Sequence, residues 1–356
     1  MAMEPSLADL RERIVAANAA KTPLRLRGGG TKDFHGEALV GDVLDTRVHR
    51  GVVDYEPSEL VITARCGTPL AEIETALAQH GQFLPFEPPI FHADATIGGV
   101  IAAGLSGPRR ASAGAARDFV LGAHLLDAHG ELLRFGGQVM KNVAGFDVAR
   151  LLCGSLGVLG LIAQVSLKAL PRPREEVTLR FECNDAEALA MFHRWRAQPL
   201  PISATCWHDG IASVRLSGSS SALRAACAAL GGTMINEAEA LAWWSSLRQQ
   251  SHEFFRRSDK PLWRLSLPAT APIDASGGDL VEWSGALRWL RSETPAGGIR
   301  TRTEKLCGTA TLWRGERNGV PMFHPLAAFN LELNRRLKRQ FDPNGIFNRG
   351  RMSAEF

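Results

Sequence analysis

Two glycine-rich segments in the first half of the chain have the residue types that a diphosphate requires. The first follows the apolar stretch 24–26 and has the sequence RGGGTK, which comprises Arg27, Gly28, Gly29, Gly30, Thr31 and Lys32. Consecutive glycines let backbone N–H groups approach phosphate oxygens because no Cβ intervenes. The neighbouring hydroxyl and ammonium groups suit the same oxygens. The segment predicts a phosphate-binding loop, with a tight glycine turn that binds no ligand as the alternative.

The second glycine-rich segment begins with ATIGG and continues into a basic stretch. Its candidate ligands are Thr96, Gly98, Gly99, Gly104, Ser106, Gly107, Arg109 and Arg110. Alternatively, Thr96 caps a helix and the two arginines are surface residues or face an acidic patch of a partner. Two such segments together predict one large dinucleotide that is held by two loops.

A third segment contains further candidates, in the sequences KNVAGFD and GSLGVLGLI. Its functional interpretation places Lys141 or Asn142 beside a flavin ring edge, and the backbone near Ile162 against adenine. Gly145 belongs to the same set. The alternative is a loop, a short helix and a β-turn without a ligand.

Length and composition predict a globular protein of two domains and exclude several functional classes. The net charge of +4 over 356 residues gives no strong case for nucleic acid or a membrane surface. The six cysteines contain no C-x-x-C, so the chain has no ferredoxin-like or zinc-ribbon motif, and we expect reduced thiols. No two of the ten histidines lie at i,i+4, and no metal site is predicted.

Targeting signals are also missing from the sequence. The first 20 residues lack the apolar core of a signal sequence, and no stretch has the roughly 20 apolar residues that span a bilayer. We therefore expect a cytoplasmic chain without a transmembrane segment.

Periodicity predicts mixed helices and strands, with a domain boundary at the prolines 171 and 173. All eight tryptophans follow this boundary. Ser6 is the expected N-cap of a first helix, and Thr68 and Pro69 are the expected cap and first residue of a second. A C-terminal amphipathic helix carries Leu326, Phe329, Leu333, Leu337 and Phe341 on one face.

The ordered set of motifs resembles the FAD-binding domain of the vanillyl-alcohol oxidase / p-cresol methylhydroxylase (PCMH) superfamily. The shared motifs are RGGGT, TIGG, SGPRR, RDFVLG, KNVAGFD, GSLGVLG and a closing FDPNGIFNRGR that contains Arg351. The resemblance implies an α+β fold, with a PCMH-type FAD-binding domain of two αβ subdomains and a smaller αβ cap domain. The corresponding bounds are 1–171 for the FAD domain, 172–318 for the cap, and 319–356 for a C-terminal helix and tail that return to the FAD domain.

The phrases ELVITARCGTPL, GPRRASAGAARDFVLG and GALRWL are similar to the FAD-binding E subunits of bacterial glycolate oxidases, essentially from end to end. That resemblance implies oxidation of glycolate, a small 2-hydroxy acid, to glyoxylate, with electrons passed towards a quinone. It also implies a complex with a homologous FAD-binding catalytic subunit and an iron–sulfur subunit, which offers peripheral attachment to the inner membrane.

Departures from the superfamily pattern refine these expectations. Relatives that attach flavin covalently often have His after the glycines, where this chain has Thr31, so we expect non-covalent FAD. Arg349 replaces the usual proline of the tail, which is expected to loosen the closing turn. The HGDGN-type stretch that supplies cap ligands in single-chain relatives is absent, and no catalytic base is assigned.

Two further functions stay open at this point. In one, the chain is a non-catalytic subunit that holds FAD as an electron relay or structural support for its homologous partner. In the other, it is a reductase that takes electrons from NADPH. The second ranks low because the sequence has no second nucleotide motif.

Overall fold

The chain folds into two compact units that mix helices and sheets. The computed structural model describes residues 3–137, 146–257, 259–273 and 279–356. The first unit comprises Met1–Leu105, Ala115–Pro171 and Pro325–Phe356, and the second comprises Ser106–Gly114 and Arg172–His324. The predicted α+β class is confirmed.

The α-helices of the described residues are, in chain order, α1 Pro5–Ala20, α2 Leu70–Gln79, α3 Ile97–Ala103, α4 Arg110–Ala113, α5 Val148–Leu152, α6 Asp185–Arg196, α7 Ser220–Leu230, α8 Glu237–Arg248, α9 Glu253–Arg256, α10 Ala296–Lys305 and α11 Ala328–Phe341. Short 3₁₀ segments lie at Thr46–Val48, Ala116–Phe119 and Trp283–Gly285.

The β-strands are β1 Leu24–Arg27, β2 Asp42–Asp45, β3 Val52–Glu56, β4 Val61–Arg65, β5 Gln82–Phe83, β6 Val120–Leu126, β7 Leu132–Gly136, β8 Leu161–Lys168, β9 Leu170–Pro171, β10 Glu175–Glu182, β11 Ile202–His208, β12 Ile211–Gly218, β13 Thr233–Met234, β14 Leu262–Ser266, β15 Leu280–Glu282, β16 Leu287–Arg291 and β17 Thr309–Arg314.

The first unit combines a five-stranded sheet with two small ladders. The larger sheet is antiparallel in the order β3-β4-β8-β6-β7, while β1 and β2 form a parallel pair and β5 pairs with β9. An apolar core joins α1, β1, β2 and the C-terminal tail, and its buried members include Leu10, Ile14, Leu44 and Phe347. The tail therefore belongs to the same core as the strand that leads into the first glycine loop.

The second unit is built on one eight-stranded antiparallel sheet. Its strand order is β13-β10-β12-β11-β15-β16-β14-β17. Helices α6 and α7 contribute to one apolar cluster with β10 and β12, and α10 contributes to another with β14 and β17. Ser219 caps α7 by accepting a hydrogen bond from the N–H of Ala222, as its position before an Ala-rich helix favours.

The residues Ser106–Gly114 belong to the second unit, although the sequence analysis assigns them to the first domain. Arg109 pairs with Glu176, and the Oγ of Ser112 donates to the carbonyl of Ser203 at 2.9 Å. These contacts join the segment to β10 and β11. The bounds 1–171, 172–318 and 319–356 accordingly stay a proposal.

Three details of the helices differ from the sequence predictions. The N-cap of α1 is Glu4 rather than Ser6, because Pro5 occupies the first turn and Ser6 lies inside the helix. Helix α2 begins at Leu70 with Pro69 as its N-cap, since the Thr68 hydroxyl donates to the carbonyl of Arg65 at 2.7 Å. The predicted C-terminal helix exists as α11, but its apolar stripe does not join the core, and Phe329 is 79% exposed.

Candidate functional site

An elongated cleft in the first unit brings the two glycine-rich segments together. The first part of the cleft has a volume of about 550 Å³, which includes space open to solvent. The predicted residues that line this part are Arg27, Gly28, Gly29, Gly30, Thr31, Lys32, Thr96, Gly99 and Arg351. A second part of about 390 Å³ is lined by Gly98 and Ile162, among others, and shares Gly28 and Gly99 with the first. The two parts adjoin, so the cleft has the extended form that a dinucleotide requires.

The two glycine loops approach each other so closely that side chains are excluded between them. A Cβ on Gly28 would lie 2.2 Å from the hydroxyl oxygen of Thr96, and one on Gly29 would lie 1.7 Å from the carbonyl oxygen of Asp94. Both distances are far below van der Waals contact. The glycines are therefore required by the packing of one loop on the other, in addition to any ligand.

The backbone donors of the two loops are used differently. The N–H of Gly98 donates to the carbonyl of Cys66 at 2.9 Å, and that of Gly99 to the Thr96 hydroxyl at 3.4 Å, so Thr96 caps α3. In contrast, within the described part of the chain the N–H groups of residues 29–32 donate to no protein acceptor. Four successive donors at the cleft are available to a ligand with several acceptor oxygens.

Lys32 places a positive charge in the same part of the cleft. Its Nζ lies 3.3 Å from the Thr31 hydroxyl and 5.5 Å from the Phe91 ring centroid. No carboxylate among the described residues forms an ion pair with it. Burial consequently lowers the pKa of Lys32 to about 8. A bound anion reverses this effect, because it stabilises the charged ammonium.

Arg27 is already neutralised within the loop. Its Nε donates to the Asp33 carboxylate at 2.8 Å, and both side chains are 37% exposed. A Cβ on Gly30 would lie 2.0 Å from the guanidinium of Arg27. Arg27 thus stabilises the turn of the loop, and among the described residues that line the cleft Lys32 is the cation that remains for a ligand.

The C-terminal tail holds the glycine loop in place. Buried Arg351 donates to the backbone carbonyls of Lys32, Asp33, His35 and Glu37, with distances of 3.3, 2.8 and 2.6 Å for the first three. Since all of these acceptors lie within the segment 32–37 that follows the glycines and Thr31, Arg351 fixes the exit of the loop. Its guanidinium acts on the loop backbone within the first unit.

Asn348 connects the same tail to two other walls of the cleft. Its Oδ1 accepts from the N–H of Leu26 at 2.8 Å, and its Nδ2 donates to the carbonyl of Leu156 at 2.6 Å. The residue has a positive φ of 39°, a conformation that asparagine tolerates. Asn348 is not among the residues that the motifs predict, although it begins the N-x-G-R end of the tail.

The closing turn is held by side chains despite its missing proline. Arg349 donates from Nε to the carbonyl of Gly345 at 2.8 Å and from a terminal nitrogen to that of Asn344 at 3.2 Å. Before it, Asp342 accepts from the N–H groups of Ile346 and Phe347 at 2.9 and 2.8 Å. The absence of the proline is expected to loosen the closing turn. These hydrogen bonds order it instead.

Several predicted site residues do not line this cleft. Gly104 ends α3 in a left-handed conformation and packs on Gly154. Gly107, Arg109 and Arg110 lie in the second unit with Ser106; the Gly107 carbonyl accepts from the Trp283 indole N–H at 3.0 Å, and Arg110 stacks on that ring. Lys141, Asn142 and Gly145 lie outside the described residues.

Comparison with known proteins identifies the family. The sequence family described as "FAD binding domain" matches residues 5–136. Glycolate oxidase subunit GlcE of Escherichia coli K12 is 46% identical over 347 residues, which cover 97% of each chain. The chain belongs to the GlcE family.

More distant relatives are similar in sequence to part of this GlcE-family chain. Glycolate oxidase subunit GlcD of Bacillus subtilis 168 is 32% identical over 187 residues, or 51% of this chain and 40% of that protein. D-lactate dehydrogenase of Archaeoglobus fulgidus is 31% identical over 165 residues, or 46% of this chain and 37% of that protein.

A protein of much lower sequence identity has a similar fold. The structure of alkyldihydroxyacetonephosphate synthase superposes with a TM-score of 0.65 at 14% identity, over 96% of this chain and 75% of that one. The PCMH-type fold is therefore confirmed for the GlcE-family chain. As a member of this family, the chain is an FAD-binding subunit of an oxidoreductase.

The cleft has the donors that FAD requires. The open N–H groups of residues 29–32 and the Lys32 ammonium match the acceptor oxygens and negative charge of its diphosphate. Leu156, Gly157 and Gly160 of the GSLGVLGLI segment also line the cleft, and Thr46 and Cys66 are further walls that no motif indicated. Burial raises the pKa of the Cys66 thiol to about 12, so Cys66 is an apolar wall rather than a thiolate.

Substitution of Gly29 is expected to weaken FAD binding. In Gly29→Ala the new Cβ clashes with the Asp94 backbone, which pushes the loops apart and should raise the dissociation constant of FAD at least about tenfold. Flavin titration followed by absorbance measures this. Gly297→Ala is the matched control because its Cβ meets nothing within 4 Å. Equal flavin affinity in the two variants would contradict the described loop packing.

The affinity for FAD is also expected to depend on pH through Lys32. In the free protein the pKa of Lys32 is about 8. Bound FAD is expected to raise this pKa, because its diphosphate stabilises the charged ammonium. Affinity is therefore full below pH 8 and falls as the pH rises, by up to about tenfold per unit, until the pKa of the complex is reached.

Titration of wild type and Lys32→Met with FAD at several pH values tests this linkage. Lys32→Met should bind more weakly at neutral pH and lose the additional decline above pH 8. Lys21→Met removes an exposed lysine at the end of α1 and is the control for net charge. An identical pH profile for Lys32→Met and wild type would show that Lys32 does not face the diphosphate.

Proposed function

We propose that this chain is the FAD-binding E subunit of a multi-subunit glycolate oxidase that converts glycolate to glyoxylate and passes the electrons towards a quinone. The observation that carries the proposal is the set of open backbone donors at residues 29–32 beside the Lys32 ammonium. The similarity to E. coli GlcE over 97% of both chains supports the choice of substrate.

The residues of the cleft have separate roles in this proposal. Bound FAD would accept the two electrons of the C–H bond at the carbon atom that carries the hydroxyl group of the substrate. The N–H groups of residues 29–32 bind the diphosphate, Lys32 balances its charge, and the backbone near Ile162 lies against adenine. Arg351 and Asn348 position the loop. Thr31 offers no imidazole for covalent attachment, so FAD dissociates from the protein.

The remaining predicted contacts belong to the same proposal. Lys141 or Asn142 is proposed to lie near the flavin ring edge, with Gly145 as a further FAD contact, and these three lie outside the described residues. Ser106, Gly107, Arg109 and Arg110, which belong to the second unit, remain predicted FAD contacts. In the free chain, Arg109 is buried and paired with Glu176. If Arg109→Gln bound FAD with unchanged affinity, Arg109 would not be an FAD contact.

We further propose two partners, a homologous FAD-binding catalytic subunit and an iron–sulfur subunit. The similarity of B. subtilis GlcD to this chain supports the first, since two glycolate oxidase subunits then share one domain. A cytoplasmic location with peripheral attachment to the inner membrane through the complex completes the proposal. In the described segments, no helix combines the length and the apolar character needed to cross a bilayer.

Anaerobic reduction tests whether the chain itself oxidises glycolate. The full chain is purified, loaded with FAD, and mixed with glycolate in the absence of oxygen. Loss of the flavin absorption indicates a complete active site in this subunit. A stable yellow spectrum assigns the oxidation to the partner and leaves this chain as an electron relay or structural FAD subunit.

Two results would overturn the proposal at different levels. A protein that takes up no FAD contradicts the cofactor site. Isolation of the native complex, followed by mass spectrometry, tests the partners; a chain that purifies without a second flavoprotein and an iron–sulfur protein contradicts the proposed assembly.

A further inference from the structure

Arg264 in the second unit is a half-buried cation for which the described residues provide no acceptor. It lies on β14 between Trp263 and Leu265, which point into the apolar cluster with α10. Because side chains alternate along a strand, Arg264 points to the opposite face of the sheet. Within the described segments its guanidinium forms neither a hydrogen bond nor an ion pair.

Three indole rings surround this guanidinium. Its central carbon lies 5.3 Å from the ring centroid of Trp283 and 5.9 Å from those of Trp289 and Trp313. Trp289 is its direct neighbour across the β14–β16 ladder. The rings are all 3–4% exposed and attract the cation, but they accept none of its five N–H groups in the way that an oxygen does.

The surrounding charges do not neutralise Arg264. Arg110 stacks on the same Trp283 ring at 4.5 Å, which places a second guanidinium at this site. The carboxylate of Glu282 is engaged by the indole N–H of Trp289 at 2.8 Å. Burial lowers the pKa of Arg264 to about 10, and the charge of Arg110 acts in the same direction, while Glu282 opposes both.

Trp283 is held at this site by a strained turn. Trp283 and Ser284 both have left-handed backbone conformations, with φ of 53° and 56°, which are unfavourable for residues other than glycine. The N–H of Ser284 donates to the Thr205 hydroxyl at 2.8 Å, and the Trp283 indole donates to the carbonyl of Gly107. Backbone strain of this kind is concentrated at ligand sites, where surrounding contacts maintain it.

We propose that Arg264, walled by Trp283, Trp289 and Trp313, binds the carboxylate of a small organic acid. A carboxylate matches the planar fork of a guanidinium with two parallel hydrogen bonds. The choice of a 2-hydroxy acid such as glycolate as the occupant rests on the proposed function. The carboxylate site itself rests on the geometry of the second unit.

Titration calorimetry on the full FAD-loaded chain tests the site, with glycolate, acetate and malonate as carboxylate probes and glycolamide as the neutral analogue. At least one carboxylate should bind, glycolamide should not, and Arg264→Gln should weaken the binding at least about tenfold. Arg264→Lys keeps the charge but not the fork and should be intermediate. Arg224→Gln, an exposed arginine of α7, is the control.

A second measurement uses the wild-type chain and does not depend on the folding of the variants. Phenylglyoxal modifies accessible arginines, and mass spectrometry maps the modified positions. The carboxylate that binds should protect Arg264, while glycolamide should leave it reactive. Failure of every carboxylate to bind, or binding that Arg264→Gln leaves unchanged, overturns the site.

The outcomes also separate this inference from the proposed function. Arg264-dependent binding of acetate or malonate without glycolate supports the carboxylate site and contradicts glycolate as the substrate. Normal flavin content and glycolate turnover by the native complex, with no Arg264-dependent binding, keep the proposed function and remove the site.

Discussion

Arg351→Ala is expected to lose most of its affinity for FAD, with a dissociation constant raised at least about a hundredfold. The substitution removes the guanidinium from the carbonyls of residues 32, 33, 35 and 37, of which that of Lys32 keeps the N–H of His35 as a donor at 2.9 Å. Each unsatisfied buried carbonyl costs about 1–3 kcal/mol, and relaxation towards water recovers part of that sum. The loop exit is then free to move, so the four open N–H groups at residues 29–32 lose their alignment.

Flavin titration and thermal unfolding, measured together, separate a loop effect from general unfolding. Arg351→Lys should also bind FAD poorly, because one ammonium cannot reach acceptors that a guanidinium fork spans. Arg349→Ala is the matched control, since this exposed arginine of the same tail donates, within the described part of the chain, to carbonyls of its own turn and not to the glycine loop. If Arg349→Ala weakened FAD as much as Arg351→Ala, the specific role of Arg351 in holding the loop would be excluded.

Lys338→Met is expected to destabilise the first unit by about 3–5 kcal/mol. The Lys338 ammonium donates to Asp342 at 2.6 Å and to the carbonyls of Val158 and Phe347 at 2.6 and 2.8 Å. Its side chain is 6% exposed and that of Asp342 is 0% exposed. Among the described residues, removal of the cation leaves the buried Asp342 carboxylate with the backbone N–H groups of Ile346 and Phe347 as its hydrogen-bond donors.

Helix α11 provides a matched control for this pair. Glu332 and Arg336 form an ion pair with the same i,i+4 spacing, but their side chains are 43% and 73% exposed. Arg336→Met should therefore change the melting temperature very little, because water and salt screen an exposed pair. Adding Asp342→Asn to Lys338→Met should restore part of the lost stability. Equal losses from Lys338→Met and Arg336→Met would contradict the importance of burial.

The links between these residues explain why the C-terminal tail matters for a site near the N-terminus. Lys338 and Asp342 order residues 346 and 347, and the N–H of Leu24 donates to the carbonyl of Ile346 at 2.7 Å. Asn348 then bonds Leu26, and Arg351 bonds the loop exit. Tail residues Ile346 and Asn348 thus hold strand β1, and Arg351 holds the end of the glycine loop.

Local patterns predicted many elements because their signals lie within a few residues. Helix α7 has its Ser219 cap and an Ala-rich interior, and Asp147 caps α5 by accepting from the N–H of Arg150. The exposed stripe of α11 shows the limit of this reasoning, since periodicity indicates a helix but not what covers its apolar face.

By itself, the sequence determined that this chain has glycine segments suited to a diphosphate, a tail that resembles an FAD-binding family, and the α+β class. The tertiary structure alone decided which backbone donors remain available. Gly98 donates to Cys66, whereas residues 29–32 have no protein acceptor in the described segments. It also joined Arg351 to the loop and surrounded Arg264 with indole rings. These features depend on contacts between residues far apart in the chain, which no local pattern encodes.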